Sequence, residues 1–221
     1  MSLSKHQRLH DSGFATRLPE EVGIQLTHRC NLRCKHCFQW NDRGFFRNLN
    51  PHTQEEDIDI AIVEKIIRQT KPVKSNLYLW GGEPLVYKDW DKLTLMLEKD
   101  ARWSVLCTNG LLLETKMDSI LRISDSLAVL ISLDGFEEEN NLIRGQNVYQ
   151  KVIQNIDLLL KLKETGEFRG EISINCVIST AMVPKLFDFL TFFEGKGVNT
   201  VYLCFPWYLP PDTSDRMDVY F

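Results

Sequence analysis

Six short apolar runs alternate with five amphipathic stretches along this chain, and that alternation constrains the fold more than any other feature. Residues 22–27 (VGIQLT), 76–84 (NLYLWGGEP), 103–110 (WSVLCTNG), 126–135 (SLAVLISLDG), 171–179 (EISINCVIS) and 199–206 (NTVYLCFP) read as strands. Between them, residues 58–69, 88–100, 114–123, 148–164 and 183–196 carry apolar side chains on a helical period. Asp57 is placed to cap the first of these helices, and Pro72 follows its end. Strand–helix–strand units with connections of a few residues require a parallel sheet with right-handed crossovers, as an open sheet or a partial barrel. In either form, ligands belong at the C-terminal ends of the strands.

Composition narrows the function classes. Apolar residues make up 43% and charged residues 25% of the 221, which suits a globular domain rather than a disordered chain. The net charge is −4, so no broad basic field exists for phosphate backbones and no nucleic-acid partner is expected. No apolar run reaches the ~18 residues needed to span a bilayer, and the first residues have no apolar signal core, so no membrane partner and a cytoplasmic location are expected.

Three of the six cysteines crowd into CNLRCKHC, as Cys30, Cys34 and Cys37, just past the first strand. Three thiolates on one loop at the ligand-binding end can converge on a metal centre, and a reducing compartment fits this better than a disulfide framework. Two metal readings stand side by side. Zinc would take a fourth ligand from His28 or His36. An iron–sulfur cube held by three thiolates would leave one iron open. The second strand ends in Gly81-Gly82-Glu83-Pro84. There the glycines allow close approach to the backbone, and the carboxylate could meet an ammonium group.

The combination of CxxxCxxC after the first strand and GGEP after the second resembles the radical S-adenosylmethionine superfamily. TNG (108–110), SLDG (132–135) and Arg144-Gly145 extend the match. The set is similar to the subgroup whose catalytic domain precedes a SPASM or twitch domain, such as anaerobic sulfatase-maturing enzymes and peptide maturases. The resemblance implies an α/β fold, a partial (βα)6 TIM-like barrel of parallel strands. Asp212 or Thr213 would cap a sixth helix that residue 221 truncates. Residues 1–21 then form an N-terminal extension and 22–221 the barrel domain, with any auxiliary domain lying outside this chain.

The family also implies a chemistry. Cys30, Cys34 and Cys37 would hold three irons of a [4Fe–4S] cluster, and the fourth iron would chelate S-adenosylmethionine. Reductive cleavage would give a 5′-deoxyadenosyl radical that abstracts a substrate hydrogen. A flavodoxin- or ferredoxin-type donor would supply the electron. Gly81, Gly82 and Glu83 suit the methionine amino group. Ser132 and Asp134 share strand parity with Ala128 and Leu130, which turns them away from the helices and toward the ribose or carboxylate. Asn175 follows the same logic. Arg144 offers a planar fork for the carboxylate. In the family the residue before the third cysteine is aromatic and lies along the adenine, and the imidazole of His36 stands at that position. Phe205 could wall the adenine.

Cys107, Cys176 and Cys204 read as buried small hydrophobes. The long connection 38–56 reads as packing on the barrel rim, as does 205–211. The expected substrate is a peptide or protein. A small molecule or carbohydrate handled by an enzyme of the same superfamily is the alternative, and a non-catalytic zinc-stabilised binding module is the reading from another class.

Overall fold

A computed structural model describes residues 7, 9–11, 13–14 and 17–206. In chain order the described elements are β1 (Glu21–Gln25), α1 (Pro51–Gln54), α2 (Ile60–Gln69), β2 (Asn76–Trp80), α3 (Trp90–Lys99), β3 (Ser104–Thr108) and α4 (Met117–Arg122). They continue with β4 (Leu127–Ser132), α5 (Glu137–Arg144), α6 (Val148–Glu164), β5 (Glu171–Val177), α7 (Leu186–Lys196) and β6 (Thr200–Cys204). The expected caps Asp212 and Thr213, and residues 207–211, lie outside the described residues.

The six strands form one sheet in the order β1-β2-β3-β4-β5-β6, with every neighbouring pair parallel. β1 and β6 do not pair, so the sheet stays open, as a partial TIM-like barrel does. Parallel strands place all their C-terminal ends at one rim, where the sequence motifs lie.

Alternation along each strand decides which residues form the core. Ile24, Leu77, Leu79, Leu106, Val129, Ile131, Ile172 and Ile174 face the helices and are buried. Each such side chain contributes about 1.5–3 kcal/mol relative to its exposed state. Val63 and Ile67 of α2, Leu93 and Leu97 of α3, and Val152, Ile156 and Leu159 of α6 meet them from the outside. The opposite parity, Tyr78, Cys107, Leu130, Ser132 and Asn175, lines the concave face and is only partly covered. Among the described residues no helix follows β6, and Leu203 is left 37% exposed.

Two local expectations are corrected. The helix after the long connection is capped by Asp59, whose Oδ1 accepts the Ala61 N–H at 2.9 Å. Asp57, two residues earlier, instead pairs with Arg29. The second correction is α5, which lies in a segment read only as connection. Its sequence, EEENNLIR, carries three glutamates and two asparagines, so its apolar pattern is thin. The three glutamates stand in its first turn, where the helix dipole favours negative charge.

Candidate metal centre and cofactor site

The chain leaves β1 through Thr27 and enters the cysteine loop. Arg29 anchors the entrance: its guanidinium holds Asp57 through Nε (3.2 Å) and Nη2 (2.7 Å) and donates to Val86 O at 2.8 Å. Within the loop, Cys37 N–H donates to Cys34 O at 3.0 Å, and Lys35 N–H donates to Ile143 O of α5 at 2.9 Å. Backbone N–H groups also point at sulfur, Leu32 at Cys30 Sγ (3.4 Å) and Trp40 at Cys37 Sγ (3.3 Å). Cys30, Cys34 and Cys37 are all free thiols and partly exposed.

The three thiols crowd one another electrostatically. Burial pushes Cys30 up to about 12, against the lowering effect of the Leu32 N–H, and the charges of Glu83, Cys34 and Cys37 push the same way. Burial likewise raises Cys34, while Arg144 opposes the rise and Cys37 and Asp134 add to it. A bound cationic centre would favour the thiolate form of Cys30 and Cys34 against this burial. Among the described residues no three His, Cys, Asp or Glu side chains gather as a single metal ion would need. His28 is also engaged elsewhere, with Nδ1 2.8 Å from Thr53 O and its ring 4.3 Å from that of Phe46.

Gly81 and Gly82 lie against this loop. A Cβ on Gly81 would stand 2.5 Å from Thr27 O, and one on Gly82 would stand 2.5 Å from His28 O and closer still to Arg29 O. Gly82 N–H donates to Thr27 O (2.9 Å) and Glu83 N–H to Arg29 O (2.8 Å). The close approach expected of these glycines is thus first an approach to the protein's own backbone. Glu83 also differs from expectation. It is fully buried, its Oε1 accepting from Leu85 N–H (3.1 Å) and Thr108 Oγ1 (2.7 Å) and its Oε2 from Asn109 N–H (2.8 Å). Burial raises its pKa, while these three hydrogen bonds and the Arg144 charge work to lower it. The carboxylate clasps the end of β2 to the end of β3. Asn109 then reaches the cysteine loop, donating from Nδ2 to Asn31 Oδ1 at 2.7 Å.

Asp134, Arg144 and His36 meet beside Cys34. Asp134 is fully buried; its Oδ1 accepts Val177 N–H at 3.0 Å. Its Oδ2 lies 2.7 Å from Arg144 Nε and 3.4 Å from His36 Nε2. Burial opposes the Arg144 charge, but Asp134 and Cys34 more than compensate, so its pKa is raised. Burial lowers the His36 pKa, with Asp134 opposing and Arg144 reinforcing.

Ser132 and Asn175 are register partners on the concave face, and Tyr202 follows in the same row. Tyr202 was not singled out from the sequence; its parity with Cys204 is the signal that marks it. Asn175 Oδ1 accepts from Cys204 Sγ at 3.1 Å, and the thiol of Cys107 is hydrogen-bonded by Tyr78 and Ser132. Of these three cysteines Cys176, on the helix-facing side of β5, is fully buried, whereas Cys107 and Cys204 are partly exposed on the concave side and are not the plain core thiols expected. Phe205 is 77% exposed and is not brought to this cluster.

A family model described as the Radical SAM superfamily matches residues 24–180. The chain is 31% identical over 197 residues to "Molybdenum cofactor biosynthesis protein 1" of Dictyostelium discoideum, covering 86% of this chain and 28% of that protein. It is 31% identical over 195 residues to "GTP 3',8-cyclase" of Aliarcobacter butzleri, covering 84% of this chain and 54% of that one. Among solved structures, Streptococcus suis SuiB bound to S-adenosylmethionine superposes with a TM-score of 0.67 at 20% identity, covering 92% of this chain and 47% of SuiB. The chain therefore spans about half, or less, of the length of these relatives.

Proposed function

The chain belongs to the radical S-adenosylmethionine superfamily, whose members use a [4Fe–4S] cluster and S-adenosylmethionine, and from that premise we propose that it is the catalytic barrel of a peptide- or protein-modifying enzyme. The observation that carries the catalytic part is that three partly exposed cysteines share one loop at the C-terminal rim of the parallel sheet, with Cys34 within electrostatic reach of the Asp134–Arg144 pair. When bound, the cluster supplies one electron that cleaves S-adenosylmethionine to methionine and a 5′-deoxyadenosyl radical, which removes a hydrogen atom from substrate.

The chain's own residues then bind and orient. Cys30, Cys34 and Cys37 would hold the cluster. Arg144, kept charged by Asp134, would face the methionine carboxylate. Gly81 and Gly82, clasped in place by Glu83, would present backbone to the amino group. Ser132 and Asn175, level on the concave face, would reach the ribose, and His36 would lie along the adenine. Phe205 is left out of this set because of its exposure. The cytoplasm is the compartment that suits an exposed iron–sulfur loop with free thiols. Among the described residues, no helix is long and apolar enough to cross a membrane.

Two observations bear on the substrate. SuiB has also been solved with its precursor peptide SuiA, which supports a peptide by likeness of fold. None of the six strands contains lysine or arginine, so the concave face offers no strand cation to a polyanionic nucleotide. The second reading, a small-molecule substrate, is supported by the relatives named as GTP 3',8-cyclases.

The test is anaerobic reconstitution with iron and sulfide, followed by electron paramagnetic resonance of the reduced protein with and without S-adenosylmethionine. A [4Fe–4S]⁺ signal that changes on adding the cofactor and disappears in Cys30→Ala is expected. Tight zinc binding with no cluster would overturn the proposal. Turnover of short peptides against nucleotides would then separate the two substrate readings.

A further inference from the structure

The concave face of the sheet carries thiols and phenols that the binding roles above leave unused. They are Tyr78 on β2, Cys107 on β3, and Tyr202 and Cys204 on β6. None is fully buried. A thiol S–H and a phenol O–H are among the weakest bonds to hydrogen that side chains offer. The face that would receive a carbon radical is therefore furnished with groups that can give a hydrogen atom to it.

Cys107 stands apart within this set. Tyr78 and Ser132 both hydrogen-bond its thiol. The sulfur is thus one contact from the serine that would reach the ribose and one contact from a phenol that is 39% exposed. Burial raises the Cys107 pKa against the lowering effect of the Tyr78 bond, and burial raises Tyr78 too. Both groups keep their hydrogen near neutral pH, so the sulfur stays a thiol rather than the nucleophilic thiolate. Cys204 is placed differently. It ends β6 at the open edge of the sheet, and its Sγ is bonded to Asn175 Oδ1 at 3.1 Å. Tyr202, on the same edge strand, is 52% exposed.

We infer that Cys107 is a hydrogen-atom donor to a carbon radical on the concave face, with Tyr78 relaying the radical outward. The inference rests on the proposed function, because that reaction is what leaves a radical on the substrate. The substrate radical takes the hydrogen of Cys107 Sγ: a C–H bond forms, the S–H bond breaks, and a thiyl radical remains. The thiyl takes the hydroxyl hydrogen of Tyr78, which restores the thiol and leaves a phenoxyl radical. The phenoxyl takes one electron from a low-potential one-electron reductant and one proton from water. An S–H bond is weaker than an ordinary aliphatic C–H bond, so the first step runs downhill, and the second is close to level. The substrate leaves with as many hydrogens as it brought. The reaction class is then inversion or rearrangement of a carbon centre rather than its oxidation.

Two measurements test this without a known substrate. In metal-free protein, the infrared S–H stretching band that disappears in Cys107→Ser should shift in Tyr78→Phe. A band indifferent to Tyr78 would overturn the relay. The second measurement uses the 5′-deoxyadenosyl radical itself as the carbon radical. Reconstituted protein is exchanged into D2O without added thiol, reduced with dithionite, freed of excess reductant and given S-adenosylmethionine. Mass spectrometry of the 5′-deoxyadenosine should show one deuterium taken from the exchanged thiol. Cys107→Ser keeps the size and polar contacts, but its O–H bond is too strong to give hydrogen to a carbon radical, so the label should be lost. Cys176→Ser, on the helix-facing side, should keep it. Tyr78→Phe should keep the label and lose a phenoxyl signal seen by electron paramagnetic resonance in freeze-quenched parent protein. Label retained in Cys107→Ser, or lost instead in Cys204→Ser, would overturn the inference. So would unlabelled 5′-deoxyadenosine from the parent. A parent protein that forms no 5′-deoxyadenosine at all would overturn the proposed function instead, which keeps the two failures apart.

Discussion

Arg144 Nε and Asp134 Oδ2 stand 2.7 Å apart in a buried site, joining the end of α5 to the turn after β4 beside Cys34. Removing either partner leaves the other charge buried alone. Asp134→Ala should destabilise the protein by about 3–5 kcal/mol. Arg144→Ala should also weaken S-adenosylmethionine binding in reconstituted protein while leaving iron content near that of the parent. Urea denaturation and calorimetric titration read the two effects separately.

The buried clasp at Glu83 makes a different prediction. Glu83→Ala leaves the Leu85 N–H, Thr108 hydroxyl and Asn109 N–H without their acceptor, and each buried orphan costs about 1–3 kcal/mol. The same residue sets a pH dependence. Its folded pKa is raised by burial, so its contribution to stability is full below the ordinary glutamate value and is lost as pH rises through the folded value. In metal-free protein the parent should therefore lose stability relative to Glu83→Gln as pH rises above the ordinary glutamate range. A parent-to-variant stability difference that is flat with pH would contradict this.

Gly82→Ala should act on the metal centre from a distance. The added methyl would press into the carbonyls of His28 and Arg29, which belong to the chain leading into the cysteine loop. Reduced iron and sulfide incorporation and a lower midpoint of denaturation are expected, with Gly81→Ala acting the same way through Thr27 O. Full cluster content in both variants would show that the loop can shift to accommodate them.

The remaining cysteines should be dispensable for the cluster. Cys176 is fully buried, and burial pushes its thiol up to about 12, so iodoacetamide near neutral pH should leave it unmodified in the folded protein. A variant with Cys107, Cys176 and Cys204 all changed to Ala should keep the parent's iron content per chain. Loss of iron there would point to a second metal site.

Much of this molecule is written locally. The period-two runs at 76–80 and 104–108 already decide which side chains of β2 and β3 meet the helices, because a strand's pleat sends neighbours to opposite faces. Ser132 and Asn175 were placed on the concave side by the same parity, and their direct pairing in the sheet agrees with it. The cysteine spacing and the GGEP turn located the rim. These properties were legible because each depends on residues within a few positions of one another.

Other features depend on partners far along the chain, and only the tertiary structure decided them. Glu83 turned inward because its donors at Thr108 and Asn109 arrive from the next strand, more than twenty residues later. Gly81 and Gly82 are required by the backbone of residues 27–29, a close approach that local glycine conformation does not reveal. The polar helix α5 carries too few apolar residues to announce itself, yet it places Arg144 against Asp134 and holds Lys35 at the edge of the cysteine loop. Periodicity records which face of an element is buried. The partner that a buried polar group takes is settled only when distant segments pack, because the cost of leaving it unpaired arises only then.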